Sequence, residues 1–160
     1  MISNLDPDFE QRLNEVADRI TVALDQLIPP ASGPEAQLMR AMRHGALSKG
    51  KRLRPFITIE VGRMFGAQEK SLLRGAAAVE CMHAYSLIHD DLPCMDDDAL
   101  RHGKPTLHLA FDEATAVLAG DALHAFAFEV LADQAISADP FVRVELLRTL
   151  GAARGLHGMA

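Results

Sequence analysis

Apolar residues recur at steps of three and four along most of the chain, which is the spacing of an amphipathic helix. The clearest stripe predicts a helix that starts near Asp6 or Pro7 and ends at the pair Pro29-Pro30. The members of this stripe are Phe9, Leu13, Val16, Ile20, Leu24 and Leu27. No segment alternates apolar and polar residues over a sustained length, so the pattern predicts no amphipathic strand.

Similar spacing predicts further helices along the rest of the chain. They are expected over residues 35–47, from Pro55 onward with Phe56, Ile59 and Met64 on one side, and over residues 69–92, 112–135 and 140–150. Pro93 is expected to disturb the 69–92 helix at its end, because proline lacks an amide proton. A loop with Gly103 and Pro105 follows. These elements predict one all-α domain.

Composition agrees with this fold class. Of the 160 residues, 49% are hydrophobic and 24% are charged, which is enough apolar material for a packed core. The net charge of −6 makes nucleic acid a poor partner. The most apolar stretch, residues 114–132, contains Asp121, His124 and Glu129. We therefore expect a buried helix there and no membrane span.

Cysteine content and the start of the chain indicate a cytoplasmic protein. Cys81 and Cys94 are too few for a disulfide framework in a chain of this size. The first eight residues lack the basic and apolar regions of a secretory signal.

Five of the ten residues 89–98 are aspartates, and they carry nearly all the excess negative charge. A solvated acidic patch is the simplest explanation, but this run ends an otherwise apolar helix. Oxygen ligands suit a hard cation such as Mg²⁺, which bridges carboxylates to substrate phosphates. The run lacks the alternating acids of a calcium loop. Zinc would require His89, Cys94 or His102 to converge, and helical spacing alone does not select the ligands.

Two basic segments flank the acidic run in the sequence. Lys51, Arg52 and Arg54 precede a predicted helix start, and Arg101 and Lys104 follow the aspartates. Guanidinium and ammonium groups bind phosphate oxygens, and a helix N-terminus adds a favourable dipole. Cations beside a carboxylate–metal site are what a diphosphate substrate requires.

Four motifs in order resemble the trans-prenyl (polyprenyl) diphosphate synthase family, in particular its bacterial farnesyl-type branch. They are Gly50-Lys51-Arg52-Leu53-Arg54-Pro55, the run from His83 to Asp98, Gly103-Lys104-Pro105-Thr106, and Leu118-Ala119-Gly120-Asp121-Ala122-Leu123. The resemblance implies an antiparallel helical bundle around a deep apolar pocket, and a homodimer. It also implies Mg²⁺-dependent condensation of isopentenyl diphosphate with dimethylallyl or geranyl diphosphate to give farnesyl diphosphate, with Mn²⁺ as a possible substitute.

The resemblance assigns roles to individual residues. Asp90, Asp91 and Asp96 fall on the first Asp-rich motif as catalytic residues, and Asp90 and Asp96 as its metal ligands. Lys51, Arg54 and His83 correspond to isopentenyl diphosphate contacts, and Arg101 to an allylic diphosphate contact. Tyr85 and Ser86 correspond to positions that set product length, where an aromatic residue accompanies a fifteen-carbon product. Cys94 is expected to be a spacer within the motif.

The chain departs from the family pattern at His102, where the family has an arginine that contacts isopentenyl diphosphate. Imidazole holds phosphate less firmly than guanidinium at neutral pH, so we expect weaker binding that improves as pH falls toward about 6. The second Asp-rich motif of the family's second half has no counterpart in the sequence. We therefore expect residues 1–160 to form the N-terminal half of a single synthase domain, inactive alone.

Other functions remain open at this point. A geranyl or geranylgeranyl diphosphate synthase would carry similar motifs, and a non-catalytic partner subunit would suit a shorter chain. A His-Asp metal phosphohydrolase would use His89 and Asp90 with a distant histidine such as His44. That function would leave the cations at residues 51–54 unexplained.

Overall fold

The computed structural model describes residues 7–158, which contain seven helices and one pair of two-residue strands. The helices are α1 (Pro7–Leu27), α2 (Ala36–Ala46), α3 (Leu53–Met64), α4 (Glu69–Asp90), α5 (Leu107–Ala110), α6 (Glu113–Ala132) and α7 (Pro140–Arg154), and the strands are β1 (Leu100–Arg101) and β2 (Lys104–Pro105). The all-α prediction is confirmed. The alternative helix start at Asp6 lies outside the described residues. So do residues 1–6 of the N-terminal segment that was examined for a secretory signal.

The apolar stripe of α1 is buried as predicted. Leu13, Val16, Ile20 and Leu24 are buried, and Phe9 and Leu27 pack partly against the same core. Helix α2 also matches its expected range to within a residue at each end.

Helix α3 corrects two expectations. It begins at Leu53, two residues before the predicted start at Pro55. Pro55 fits within the first turn because amides there have no intrahelical acceptor, so a missing N–H is harmless. Phe56 and Ile59 are buried, but Met64 is 81% exposed. Five residues separate Ile59 from Met64, which places them about 140° apart on a helix.

Helix α4 is the central element and packs against α1, α2, α3 and most extensively α6. Both helices bury small residues, namely Ala76, Ala77 and Ala84 of α4 and Ala116, Ala119 and Gly120 of α6. Gly120 is required here, since a Cβ at this position would lie 2.2 Å from Nε2 of His89. The last turn of α4 is therefore packed tightly on α6.

The predicted apolar helix is α6, which begins after the N-cap Asp112, whose side chain accepts a 2.7 Å hydrogen bond from the amide of Thr115. It is long and apolar enough to cross a membrane by length and composition, and 44% of its apolar window is buried within the fold. It ends at Ala132, three residues before the expected end. Helix α7 runs four residues beyond its expected end, to Arg154.

The loop after the acidic run is more regular than the sequence indicated. β1 and β2 form an antiparallel hairpin, and the two residues between them, His102 and Gly103, have φ of +52° and +77°. Positive φ at both central positions is the requirement of a type I′ turn. Strands of two residues are too short to show alternation, so the periodicity did not predict them. The short helix α5 follows directly.

Candidate functional site

A cleft of about 670 Å³ brings together four of the five residues assigned to substrate binding. Lys51, Arg54, His83 and His102 all line it. The first two come from the loop between α2 and α3 and the first turn of α3, His83 comes from α4, and His102 from the hairpin turn. Lys51 and Arg54 are exposed. The cleft is therefore basic and open to a polyanion.

Arg52 and Glu80 also line the cleft, but the Arg52 side chain is buried in its wall, whereas Lys51 and Arg54 are exposed. Arg52 has a left-handed backbone with φ of +48°, and its side chain is buried. Its Nη1 lies 2.5 Å from Oε1 of Glu80 in α4. The sequence predicted that Lys51, Arg52 and Arg54 together form a phosphate-binding loop. In the structure Arg52 is buried and paired with Glu80. Glu80 was missed, although a glutamate within the apolar run 76–82 signals a buried charge that requires a partner.

His83 is held in contact with Arg54. Nη1 of Arg54 lies 3.2 Å from Nε2 of His83. Burial, and then the nearby charge of Arg54, lower the pKa of His83 below its ordinary value of 6.5. A neutral imidazole that accepts from Arg54 at Nε2 carries its proton on Nδ1. The ring can then donate one hydrogen bond from Nδ1 to a bound anion.

The acidic run begins where α4 ends. The helix stops at Asp90, two residues before the expected end at residue 92 and three residues before Pro93. The chain then turns back, so that the amide of Asp96 donates to the carbonyl of Asp90 at 2.8 Å. On a continuous helix these two residues would lie about 120° apart. The turn brings their backbones together.

Arg101 is bound to the second aspartate of the motif. Its Nε donates to Oδ1 of Asp91 at 3.0 Å, its Nη2 also pairs with Asp91, and Nη2 lies 3.1 Å from Oδ2 of Asp98. Hydrogen bonding to Asp91 raises the pKa of Arg101 above its ordinary value. Asp91 is buried, whereas Asp96 and Asp98 are exposed. Asp91 thus acts on Arg101 and orients the guanidinium.

The carboxylate oxygens of Asp90 and Asp96 are donors that suit a magnesium ion. Within residues 7–158, Arg101 takes Asp91 and Asp98 as ion-pair partners and leaves Asp90 and Asp96 outside its ion pairs. Magnesium is commonly held by one or two carboxylates together with waters and substrate phosphates. No group of three or more His, Cys, Asp or Glu side chains in the described part of the chain is arranged to hold a metal by itself.

Tyr85 and Ser86 lie in different surroundings although they are adjacent on α4. Ser86 lines an apolar cavity of about 230 Å³ between α4 and α7. Tyr85 packs instead toward α6, with its ring centroid 4.8 Å from that of His89 and 4.9 Å from that of His124. Cζ of Arg154 lies 4.9 Å from the Tyr85 ring centroid.

The residues of the phosphohydrolase hypothesis have separate partners. Nε2 of His89 donates to the carbonyl of Val117 at 3.1 Å. Nε2 of His44 lies 3.2 Å from the carbonyl of Pro105, and its ring packs against Phe111. Both imidazoles serve the packing between elements, and the structure shows no shared metal site for them among the described residues.

The site thus combines an all-helical domain, a basic cleft and an adjacent acidic turn. A family model described as polyprenyl synthetase matches residues 35–153. The chain belongs to the polyprenyl synthetase family.

Individual relatives agree with this assignment. The chain is 46% identical over 153 residues to "Farnesyl diphosphate synthase" of Escherichia coli (strain K12), covering 95% of this chain and 51% of that protein. It is 45% identical over 144 residues to "Heterodimeric geranylgeranyl pyrophosphate synthase large subunit 1, chloroplastic" of Arabidopsis thaliana, covering 90% of this chain and 38% of that protein. The apo crystal structure of an "FPP/GFPP synthase" from Zymomonas mobilis has a TM-score of 0.91 at 46% identity, covering 95% of this chain and 55% of that one. The chain spans about half the length of the curated bacterial relative.

Proposed function

We propose that this chain carries the isopentenyl diphosphate site and the first metal-binding motif of a trans-prenyltransferase. The enzyme condenses isopentenyl diphosphate with an allylic diphosphate, dimethylallyl or geranyl, to form farnesyl diphosphate in isoprenoid biosynthesis. The observation that carries the proposal is the cleft that gathers Lys51, Arg54, His83 and His102 from three parts of the chain.

The charges of the cleft suit a diphosphate. Lys51 is a point charge, and Arg54 presents a planar fork that matches the oxygens of a phosphate. Neutral His83 adds a donor without adding a charge that would repel Arg54. Together these groups hold the diphosphate of isopentenyl diphosphate and leave its alkene free to react.

The acidic turn suits the second substrate. A bound Mg²⁺ supplies positive charge for the departing diphosphate of the allylic substrate, and Asp90 and Asp96 are the residues that would hold the ion. Arg101, oriented by Asp91, contributes a fixed positive charge beside it. The allylic C–O bond breaks with release of diphosphate, and the alkene of isopentenyl diphosphate forms a bond to the allylic carbon. The resulting cation loses a proton to the released diphosphate, so bond formation needs no protein nucleophile. The residues of this chain supply position and electrostatics.

We further propose that residues 1–160 form the N-terminal part of a single synthase domain, that the whole protein is a cytoplasmic homodimer, and that this chain alone does not turn over. The support is the coverage of about half of the E. coli relative. A sequence-verified 160-residue sample that steadily releases prenyl diphosphate product would overturn the last statement.

Isothermal titration of the chain with isopentenyl diphosphate tests the proposal. We expect saturable binding that weakens by about tenfold or more in Lys51→Ala or Arg54→Ala, since each removes a charge-assisted contact. Lys70→Ala is the matched control, because Lys70 is an exposed lysine that is not among the residues lining the cleft. Absent binding, or equal weakening in all three variants, would contradict the assignment of the cleft.

A longer product is the second candidate. The names of the Arabidopsis and Zymomonas proteins indicate geranylgeranyl and FPP/GFPP synthesis. Motifs that bind diphosphates are shared by enzymes of different product length, so the cleft alone does not choose among them. Mass spectrometry of the products of an active form of the protein decides the length.

A further inference from the structure

Arg52 connects the helices that surround the cations of the cleft. Its Nη2 donates to the carbonyl of Ala46 at 3.0 Å and to that of Ser48 at 2.8 Å, at the end of α2 and just beyond it. Its Nη1 binds Glu80, one turn before His83 on α4. Its own backbone forms the N-cap of α3, with φ of +48°. One side chain therefore ties α2, α3 and α4 together.

The pair of Arg52 and Glu80 is buried to a degree that is unusual for ions. The side chains are 5% and 6% exposed. Oε2 of Glu80 and Nε of Arg52 have no hydrogen-bond partner in the described structure. Such a pair is weak evidence for stability, because desolvation offsets the Coulombic gain. Its geometry has another consequence, since Lys51 precedes Arg52 and Arg54 follows two residues later.

We propose that Arg52 and Glu80 form a positioning pair for the diphosphate cleft. Arg52 holds the loop so that Lys51 and Arg54 lie on either side of it and face the cleft, and Glu80 fixes this unit to the helix that carries His83. The inference rests on the proposed function of the cleft and adds a specific requirement. The guanidinium fork is needed, because three acceptors on two elements must be bound at once, and a lysine ammonium cannot match that planar geometry.

The test measures affinity for isopentenyl diphosphate and for isopentenyl monophosphate by titration calorimetry. In Arg52→Lys, which retains the charge, we expect the dissociation constant for the diphosphate to rise by about tenfold or more. The preference for the diphosphate over the monophosphate should also fall in this variant, because misplaced cations no longer match the positions of two phosphate groups. Glu80→Gln keeps the shape of the pair and should raise the constant by about threefold.

Arg74→Lys is the matched control. Arg74 lies on α4, as Glu80 does, its side chain is 18% exposed, and it pairs with Asp133. It is not among the residues that line the cleft. Thermal unfolding of each variant reports stability separately. A purely structural role would lower the unfolding temperature of Arg52→Lys and Arg74→Lys while the selectivity ratio of the folded protein stayed at the wild-type value.

Failure of the inference differs from failure of the proposed function. If the wild-type chain does not bind isopentenyl diphosphate, the proposed function fails. Suppose instead that the wild-type binds, that Lys51→Ala weakens binding, and that Arg52→Lys retains full affinity and selectivity. In that case the positioning role is wrong and the assignment of the cleft stands. If Arg52→Lys does not fold, Glu80→Gln decides, and unchanged affinity in that variant overturns the inference.

Discussion

Neighbouring residues of one motif have opposite roles in this molecule. Lys51 is exposed in the cleft, whereas Arg52 is buried in the cleft wall. Asp91 is buried and bound to Arg101, whereas Asp96 is exposed. The sequence motifs define the residue types and their order. They did not show the directions of the side chains, because those depend on backbone angles such as the positive φ of Arg52, which no periodicity reveals.

At the residue scale, His102 gives a prediction about affinity. His102→Arg should bind isopentenyl diphosphate about three to ten times more tightly at pH 7.5, because a guanidinium matches phosphate oxygens with a planar fork that an imidazole lacks. Calorimetric titration of both proteins measures the difference, and equal affinities would contradict a contact between this position and the diphosphate.

His83 gives a prediction about pH. Its pKa lies below 6.5, because of burial and then of Arg54, so it stays neutral to lower pH than an ordinary histidine. Protonating His83 therefore destabilises the fold only as pH falls below about 6.5 toward its lowered pKa. His83→Gln, whose side chain does not titrate, should lose less stability on acidification than the wild-type, and urea unfolding at several pH values measures this. An equal loss in both proteins would contradict the contribution of His83.

At the scale of elements, helical periodicity located α1, α2, α4, α6 and α7. The first four bury apolar residues in the core, whereas α7 has no fully buried residue and packs Leu147 and Leu150 partly against it. The ends were less accurate, since the loss of a stripe does not mark a cap. The hairpin and α5 were not predicted, because two-residue strands and a four-residue helix are shorter than the period that would reveal them. The contact of α4 with α6 depends on small residues, which a search for large apolar positions underweights.

Gly120 tests that helix contact. In Gly120→Ala the new methyl group would meet the ring of His89, which is fixed by its bond to Val117, so we expect a loss of about 2 kcal/mol in the free energy of unfolding. Gly75→Ala on α4 is the matched control. A Cβ there meets nothing within 4 Å, so helix propensity should make it neutral or stabilising by about 0.5–1 kcal/mol.

Urea unfolding followed by circular dichroism measures both variants. Equal stability of the two alanine variants would mean that the His89 ring moves aside without cost. That result would refute tight packing between the end of α4, where Asp90 lies, and α6.

At the scale of the whole molecule, the excess negative charge is concentrated in the turn after α4. One hairpin connects this acidic turn to the basic cleft, because its Arg101 binds Asp91 and its His102 lines the cleft. Charge composition alone had only made nucleic acid a poor partner. In the proposed function, the cations would hold one diphosphate and the acidic turn would hold the other through a metal ion.

Product length depends on the packing of the whole bundle. In a catalytically active form that includes this sequence, Tyr85→Ala should shift products toward longer chains, because it removes a ring packed between α4 and α6. Tyr85→Phe, which keeps the ring, should leave the products unchanged. Mass spectrometry of the products measures the shift, and an identical distribution in the alanine variant would mean that Tyr85 is a core residue only.

The most direct test of a two-part diphosphate site is titration of the chain with isopentenyl and geranyl diphosphates, each with and without Mg²⁺. Isopentenyl diphosphate should bind without Mg²⁺ and lose affinity in Arg54→Ala. Geranyl diphosphate should require Mg²⁺ and lose affinity in Asp90→Asn. Asp97→Asn should change neither, because Asp97 has φ of +53° and asparagine tolerates that conformation. The account would be contradicted if one substitution abolished the binding of both diphosphates. It would also be contradicted if geranyl diphosphate bound without Mg²⁺ and independently of Asp90.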